Sequence, residues 1–116
     1  MGSSAYTAYT KSRNLGLSGR ALEAEAFLEA ARSLDSKRTA LAIKGLRFTH
    51  SLWTILQAEL LNPANSLPEN LKTDLLSLSA FVDREITRAL TDPTPGRLKT
   101  LSDINRNLAA GLFAVH

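Results

Sequence analysis

The residues that could do chemistry in this chain are few and poorly placed for it. The two histidines, His50 and His116, do not by themselves make a metal cluster, and a chain without cysteine has no thiolate nucleophile and no sulfur ligand for zinc. Asp83 and Glu85 are two positions apart, so on a helix they point away from each other. Glycine-rich phosphate loops and the common hydrolase motifs are absent from the sequence. The sequence therefore predicts no enzymatic activity, no cofactor and no metal site.

Residues that interrupt an apolar pattern are better candidates for a partner-binding site. Asn105 lies at the centre of the apolar stripe of the last predicted helix. A buried amide without a hydrogen-bond partner costs about 1–3 kcal/mol. We therefore predict either a core amide that is hydrogen-bonded and tethers a loop, or an amide that is available to a partner. Arg106 lies at the edge of that stripe and can present its donors to a partner or pair with Asp103 or another acid. Lys99 and Phe113 share this side of the helix, and an exposed phenylalanine beside cations is either ordinary scattered exposure or a modest sign of an interaction surface.

Trp53 belongs to residues 39–61, which we interpret as the helix that organises the chain. At about 100° per residue, the apolar side chains of this segment cover roughly 180°, which is wider than the stripe of an ordinary surface helix. Such a helix should be packed on two sides, and Gly45 within the arc indicates either the close approach of another helix or a tolerated defect. Trp53 is expected in the core, with partner contact as the alternative. The arc consists of Leu41, Leu46, Phe48, Leu52, Trp53, Ile55, Leu56 and Leu60.

Helical spacing and helix-ending residues divide the chain into predicted helices over residues 4–13, 19–36, 39–61, 67–91 and 95–114. Ser66 and Glu69 have the spacing of a capping box at the fourth helix, and Thr94 should cap the last one with Pro95 in its first position. No segment alternates with period two, so no sheet is expected. We predict an all-α fold, a compact bundle of four main helices plus a short N-terminal helix, in a single domain covering residues 1–116.

The charge of the chain is unevenly distributed. Residues 1–58 carry eight basic groups, among them Arg47, against four acidic ones, while the whole chain has 14 against 11. A bias of this size is usually a solvated face, and an anionic partner is the alternative. The sequence has neither an apolar run of about 18 residues nor the pattern of a secretory signal at its start, so we expect a cytoplasmic protein without a membrane span.

The second half of the chain carries a recognisable series of motifs. It runs from the Leu-Trp-Thr-Ile-Leu string that contains Trp53, through Asn62-Pro63 and Leu67-Pro68, to a final string that begins Ile104-Asn105-Arg106 and continues Leu108-Ala109-Ala110-Gly111-Leu112. Over roughly residues 46–112 the chain resembles the FlaF family of flagellar biosynthesis regulators. Ala5-Tyr6-x-x-Tyr9 near the start is also similar to that family.

The resemblance implies a cytoplasmic protein of flagellated bacteria that binds flagellin as a chaperone or secretion helper and acts together with a second regulator, FlbT. Because the terminal segments of flagellin are amphipathic helices, the expected physical mode is a helix laid in a groove. The alternative is a post-transcriptional regulator that contacts flagellin messenger RNA through the basic first half. The candidate partner-binding residues are Trp53, Asn105, Arg106, Phe113, Lys99 and Arg47.

Overall fold

The computed structural model describes residues 19–114, and it describes side chains for residues 22–111. The described residues form four helices and no strand: α1 (Gly19–Leu34), α2 (Thr39–Leu61), α3 (Glu69–Thr91) and α4 (Pro95–Ala114). The predicted all-α fold with four main helices is confirmed. α2 has its predicted bounds. α1 ends two residues before its predicted end, and α3 begins two residues after its predicted start. The short helix predicted over residues 4–13 lies outside the described residues.

The four helices pack in a ring in which each contacts its neighbour in sequence and α1 closes on α4. The contact of α1 with α4 is the most extensive, the contact of α1 with α2 comes next, and the contact between α3 and α4 is the smallest of the four. α1 is therefore the best covered helix, since it lies between α2 and α4, and α3 is the least covered.

Small residues let α1 approach its neighbours closely. Its fully or nearly fully buried side chains are mostly alanine: Ala24, Ala26, Phe27, Ala30, Ala31 and Leu34. On the facing side of α2, a methyl group added at Gly45 would lie 2.9 Å from the backbone nitrogen of Leu34 and 3.0 Å from Ser33 Cβ. Of the two alternatives for Gly45, the close approach is confirmed, and the backbones of α1 and α2 meet at this glycine.

The apolar arc of α2 contributes the bulkiest group of side chains to the core. Its buried members are Leu46, Phe48, Leu52, Trp53, Leu56 and Leu60. Trp53 is 0% exposed, so its predicted core position is confirmed. Two members of the arc are exceptions: Ile55 is half-buried, and Leu41, in the first turn of α2, is 38% exposed. As predicted, α2 is packed on two sides, by α1 and by α3.

One of the two predicted N-terminal helix caps is correct. The backbone N–H of Arg97 donates to Thr94 Oγ1 at 3.3 Å, and α4 begins at Pro95, so the Thr94 cap is confirmed. The prediction of a capping box formed by Ser66 and Glu69 is wrong. α3 begins at Glu69 itself, and the N-cap position is occupied by Pro68, which makes no side-chain cap.

Asn65 organises the turn before α3 instead of Ser66. Its Oδ1 accepts from the backbone N–H of Leu67 at 3.0 Å, and its Nδ2 donates to the backbone oxygen of Glu59 at 3.0 Å. Lys72 Nζ then donates to the backbone oxygen of Asn65 at 2.6 Å. These three bonds connect the end of α2 with the first turn of α3, and they delay the start of that helix to Glu69.

Candidate functional site

Asn105 is part of a buried hydrogen-bond chain between α2 and α4. Trp53 Nε1–H donates to Asn105 Oδ1 at 2.9 Å, and Asn105 Nδ2–H donates to Thr49 Oγ1 at 3.0 Å. All three residues are 0% exposed, and the ring of Phe27 on α1 meets Trp53 edge-on, with centroids 5.8 Å apart. Asn105 is therefore a core amide whose hydrogen bonds are satisfied, which is one of the two predicted alternatives. It tethers α4 to a second helix, α2, and not to a loop.

The burial of Trp53 and Asn105 bears on their predicted contact with a partner. Neither side chain reaches the surface, and the indole N–H and both ends of the amide are already bonded within the fold. A partner could touch these groups only if α2 and α4 separated, which would break both bonds. Their partner role remains a prediction, whereas their role in joining three helices is a property of the structure.

Arg106 and Lys99 lie together at the surface, at the end of the bundle where the α1–α2 turn meets the start of α4. Arg106 forms an ion pair with Asp35, just beyond the end of α1, and Lys99 Nζ lies 2.9 Å from Asp103 Oδ2. Both cations line a groove of about 700 Å³. Such exposed pairs contribute roughly 0–1 kcal/mol to stability, so both cations are available to an acidic group at little cost to the fold.

Arg47 and Phe113 are not part of this groove. Arg47 is exposed on α2 and does not line the groove, and Phe113 lies outside the described side chains. The six candidate residues therefore separate into a buried pair, a surface pair, an exposed cation outside the groove and one residue without a described side chain.

A cluster of cations occupies the start of α2 and the turn before it. Lys37, Arg38, Lys44 and Arg47 are all exposed, and none of them forms an ion pair among the residues that the structure describes. The basic bias of the first half of the sequence is thus concentrated at one end of the folded bundle. Hereafter these four residues are called the basic end.

Helical periodicity indicates that half-buried apolar side chains line the edge at which α3 and α4 meet. On α4, Ser102 Oγ bonds to the backbone of α1, and Ile104 and Leu108 lie on the other side of the helix, half-buried. Similarly, Asp83 of α3 accepts a hydrogen bond from α2, whereas the half-buried Leu78 and Phe81 lie away from it. We call these four apolar residues the seam surface. The sequence contained a sign of it, because Phe81 flanks the main apolar stripe of α3.

Two charged residues with buried polar atoms, Lys72 and Asp83, were not anticipated from the sequence. Lys72 is 9% exposed and holds the turn before α3, as described above. Asp83 Oδ2 accepts from Gln57 Nε2 at 3.0 Å, whereas its other carboxylate oxygen is buried without a hydrogen-bond partner among the described residues. Both lie at the edge of the apolar stripe of α3, where helical periodicity alone does not separate a buried polar residue from an exposed one.

Residues 19–114 contain neither a helix suited to crossing a membrane nor a cluster of metal ligands. None of the four helices has an apolar stretch of the length that a membrane crossing needs. The same residues contain no group of three or more His, Asp or Glu side chains arranged to hold a metal ion.

Comparison with known protein families identifies a match. The family model described as Flagellar protein FlaF matches residues 5–112, which is nearly the whole chain and includes the segment before α1. Searches of curated proteins and of solved structures find no significant match.

Proposed function

The chain belongs to the FlaF family of flagellar proteins, and from that membership we propose that it binds flagellin in the cytoplasm as a chaperone or secretion helper that promotes flagellin synthesis and export. The observation that best supports a binding role is the seam surface. An all-helical bundle with half-buried apolar side chains along its loosest helix contact is suited to a partner that supplies the missing apolar cover.

The physical mode that we propose is an amphipathic helix of flagellin laid along the seam surface. Phe81 and Leu78 would contribute from α3, and Ile104 and Leu108 from α4, so that the partner helix completes the packing between α3 and α4. Fully burying an exposed Leu or Phe side chain contributes about 1.5–3 kcal/mol. The seam residues are already half-buried, so each contributes less, and a partner that contacts all four still gains several kcal/mol.

The test is calorimetric titration with purified flagellin. A charge at the seam, Phe81→Asp, should weaken binding by about tenfold or more, which corresponds to about 1.4 kcal/mol. Leu90→Asp is the matched control, because Leu90 is 41% exposed on the same helix and lies about 180° around it from Phe81 at 100° per residue. Equal binding by the two variants would exclude the seam surface. A flagellin that lacks its C-terminal segment should bind weakly to the unchanged protein, and full binding would exclude that segment as the ligand.

A second candidate function is contact with flagellin messenger RNA, and the basic end is the observation that favours it. Affinity for single-stranded RNA falls with salt by a logarithmic slope of about −0.7 per phosphate neutralised, whereas burial of apolar surface responds far less. On this alternative, Lys44→Ala with Arg47→Ala should reduce that slope by about one to two units. If RNA does not bind at low salt, this function is excluded, and the flagellin proposal is unaffected.

FlbT is the further partner that we propose. Competition between FlbT and flagellin for the protein, measured with the Phe81→Asp and Leu90→Asp variants, would show whether the two share the seam surface. A complex of all three proteins would instead place FlbT on another face.

A further inference from the structure

The groove beside the basic end has an apolar lining. The buried Leu34 and Ala42 and the half-buried Leu98 contribute to it from α1, α2 and α4 respectively. Its volume of about 700 Å³ lies within the range of about 300–1,000 Å³ that is usual for ligand pockets. Apolar side chains of a docked segment therefore have both space and contact surface in this groove.

The charge of the groove is positive. The cations that line it are Lys37, Lys99 and Arg106. Two acids also line it, Asp35 and Asp103, and each is already paired with one of these cations, whereas Lys37 forms no ion pair among the described residues. The first residues of α2 and α4 line the groove as well, and neither helix has an acid in its first turn, so the positive ends of two helix dipoles add to this charge. The groove is therefore suited to an acidic surface that carries exposed apolar side chains.

The opposite end of α2 carries such a surface. Leu61, the last residue of α2, is 68% exposed, and Leu71, in the first turn of α3, is 40% exposed. We call residues 59–74 the α2–α3 corner. Its single cation, Lys72, is nearly buried and bonds to the turn, which leaves a surplus of negative charge at the surface. The acids of the corner are Glu59, Glu69 and Asp74.

The groove and the corner lie too far apart to meet within one molecule. α2 has 23 residues, which corresponds to about 35 Å at 1.5 Å per residue, and the two surfaces lie at its two ends. The corner is also held in place, because Asn65 bonds to the backbone oxygen of Glu59 at 3.0 Å and accepts from Lys72 at 2.6 Å. These complementary surfaces can therefore meet only between two molecules.

We propose that the groove takes the α2–α3 corner of a second copy of this chain. Leu61 and Leu71 of one copy would lie on the apolar lining of the other, with the acids of the corner beside Lys37 and Arg38. Because the contact joins two unlike surfaces, it either forms twice around a two-fold axis or extends head to tail. The seam surface takes no part in it, so this proposal does not depend on flagellin binding.

Sedimentation velocity of the purified, nuclease-treated protein tests the proposal. The average mass should rise with protein concentration, and the association should weaken between about 0.1 M and 1 M salt, as the Debye length falls from about 10 Å to about 3 Å. A protein that stays monomeric at every concentration at the lower salt overturns the proposal. So does an association that nuclease treatment abolishes, because nucleic acid would then bridge the copies.

Two double variants each remove one of the two surfaces. Lys37→Glu with Arg38→Glu reverses the charge beside the groove, and it breaks none of the ion pairs among the described residues. Leu61→Lys with Leu71→Lys replaces the exposed leucines of the corner by cations. Each variant alone should associate at least about tenfold more weakly than the unchanged protein.

Mixing the two variants distinguishes a lost surface from a damaged fold. The first variant keeps its corner and the second keeps its groove, so an equal mixture should form a heterodimer although each variant alone stays monomeric. A mixture that remains monomeric overturns the proposal.

A matched control separates the groove from the net charge of the molecule. Lys44→Glu with Arg47→Glu changes the net charge by the same amount as Lys37→Glu with Arg38→Glu, but neither Lys44 nor Arg47 lines the groove. This control should retain most of the association. An equal loss in both variants would show that net charge alone governs the association, and the docking in the groove would be overturned.

Discussion

At the level of single residues, Asn105 connects α2 and α4, two helices that have few direct backbone contacts with each other. Its amide accepts from Trp53 on α2 and donates to Thr49 one turn earlier on the same helix, in a site without access to water. An apolar residue at this position would fill the space but could not satisfy the indole N–H. The amide therefore determines how α4 is placed against α2, in addition to contributing to packing.

We predict that Asn105→Leu destabilises the protein, because it leaves a buried indole donor unpaired at a cost of about 1–3 kcal/mol. Urea unfolding followed by circular dichroism measures the change. Asn107→Leu is the control on the same helix: Asn107 is exposed, so its substitution should change the free energy of unfolding by less than about 0.5 kcal/mol. An Asn105→Leu protein as stable as the original would show that the hydrogen-bond chain contributes nothing.

Arg106→Ala addresses the surface pair. Because Arg106 and its partner Asp35 are 40% and 44% exposed, we expect thermal stability to change by less than about 1 kcal/mol. If Arg106 contacts flagellin, calorimetry should show weaker binding by a protein that remains folded. Unchanged affinity would remove Arg106 from the binding site and leave the seam surface as the candidate.

At the scale of helices, the contact between α1 and α2 depends on residues that have little or no side chain. Alanine is the best helix former, and its small side chain allows neighbouring helices to lie close together. At Gly45 the absence of a side chain lets the backbone of α1 come within contact distance. The cost of glycine within a helix, about 1 kcal/mol relative to alanine, is offset by this close packing.

Gly45→Ala should therefore destabilise the protein by about 1–3 kcal/mol, although alanine favours the helix, because the new methyl group meets the backbone of Leu34 at 2.9 Å and backbone atoms cannot move aside cheaply. Gly111→Ala provides the comparison in α4, since no heavy atom lies within 4 Å of the added methyl group there. It should stabilise by up to about 1 kcal/mol. Thermal unfolding of the two variants should shift in opposite directions, and a shift in the same direction would contradict the close contact.

At the scale of the whole molecule, coverage is uneven around the ring of helices. α1 is packed between two neighbours, whereas α3 has its main contact with α2 and only a small one with α4. Helices with less buried area open at lower free energy than the molecule as a whole. The seam surface lies along this least covered contact, so the part of the protein that we propose for partner binding is also the part that can adjust most easily.

Native-state hydrogen exchange should show this difference. Amides in the middle of α3 are expected to exchange faster than those in the middle of α1 and α2, and bound flagellin should slow exchange in α3 and α4 more than in α1. Uniform protection across the four helices would show that the bundle opens only as a unit. Slower exchange confined to α1 on flagellin binding would place the partner elsewhere.

Local sequence patterns correctly predicted the number of main helices, most of their bounds, the cap at Thr94 and the buried position of Trp53. These features follow from local rules, namely apolar spacing at the helical period, proline and glycine at the ends, and a wide apolar arc in one segment. The family resemblance was likewise carried by local strings, and the match over residues 5–112 confirmed it.

Which neighbour each side chain meets depends on the packing of helices that are distant in sequence. The periodicity of α4 placed Asn105 within an apolar stripe, but not against the indole of Trp53, a residue 52 positions away. The same limit applies to Arg106 with Asp35, to Lys72 in the turn that displaced the predicted capping box, and to the exposure of Leu41 and Leu71 at helix ends. A helical wheel describes the direction of a side chain from its own axis. Burial and pairing depend on where the other helices pass, and that is set by packing among residues distant in sequence.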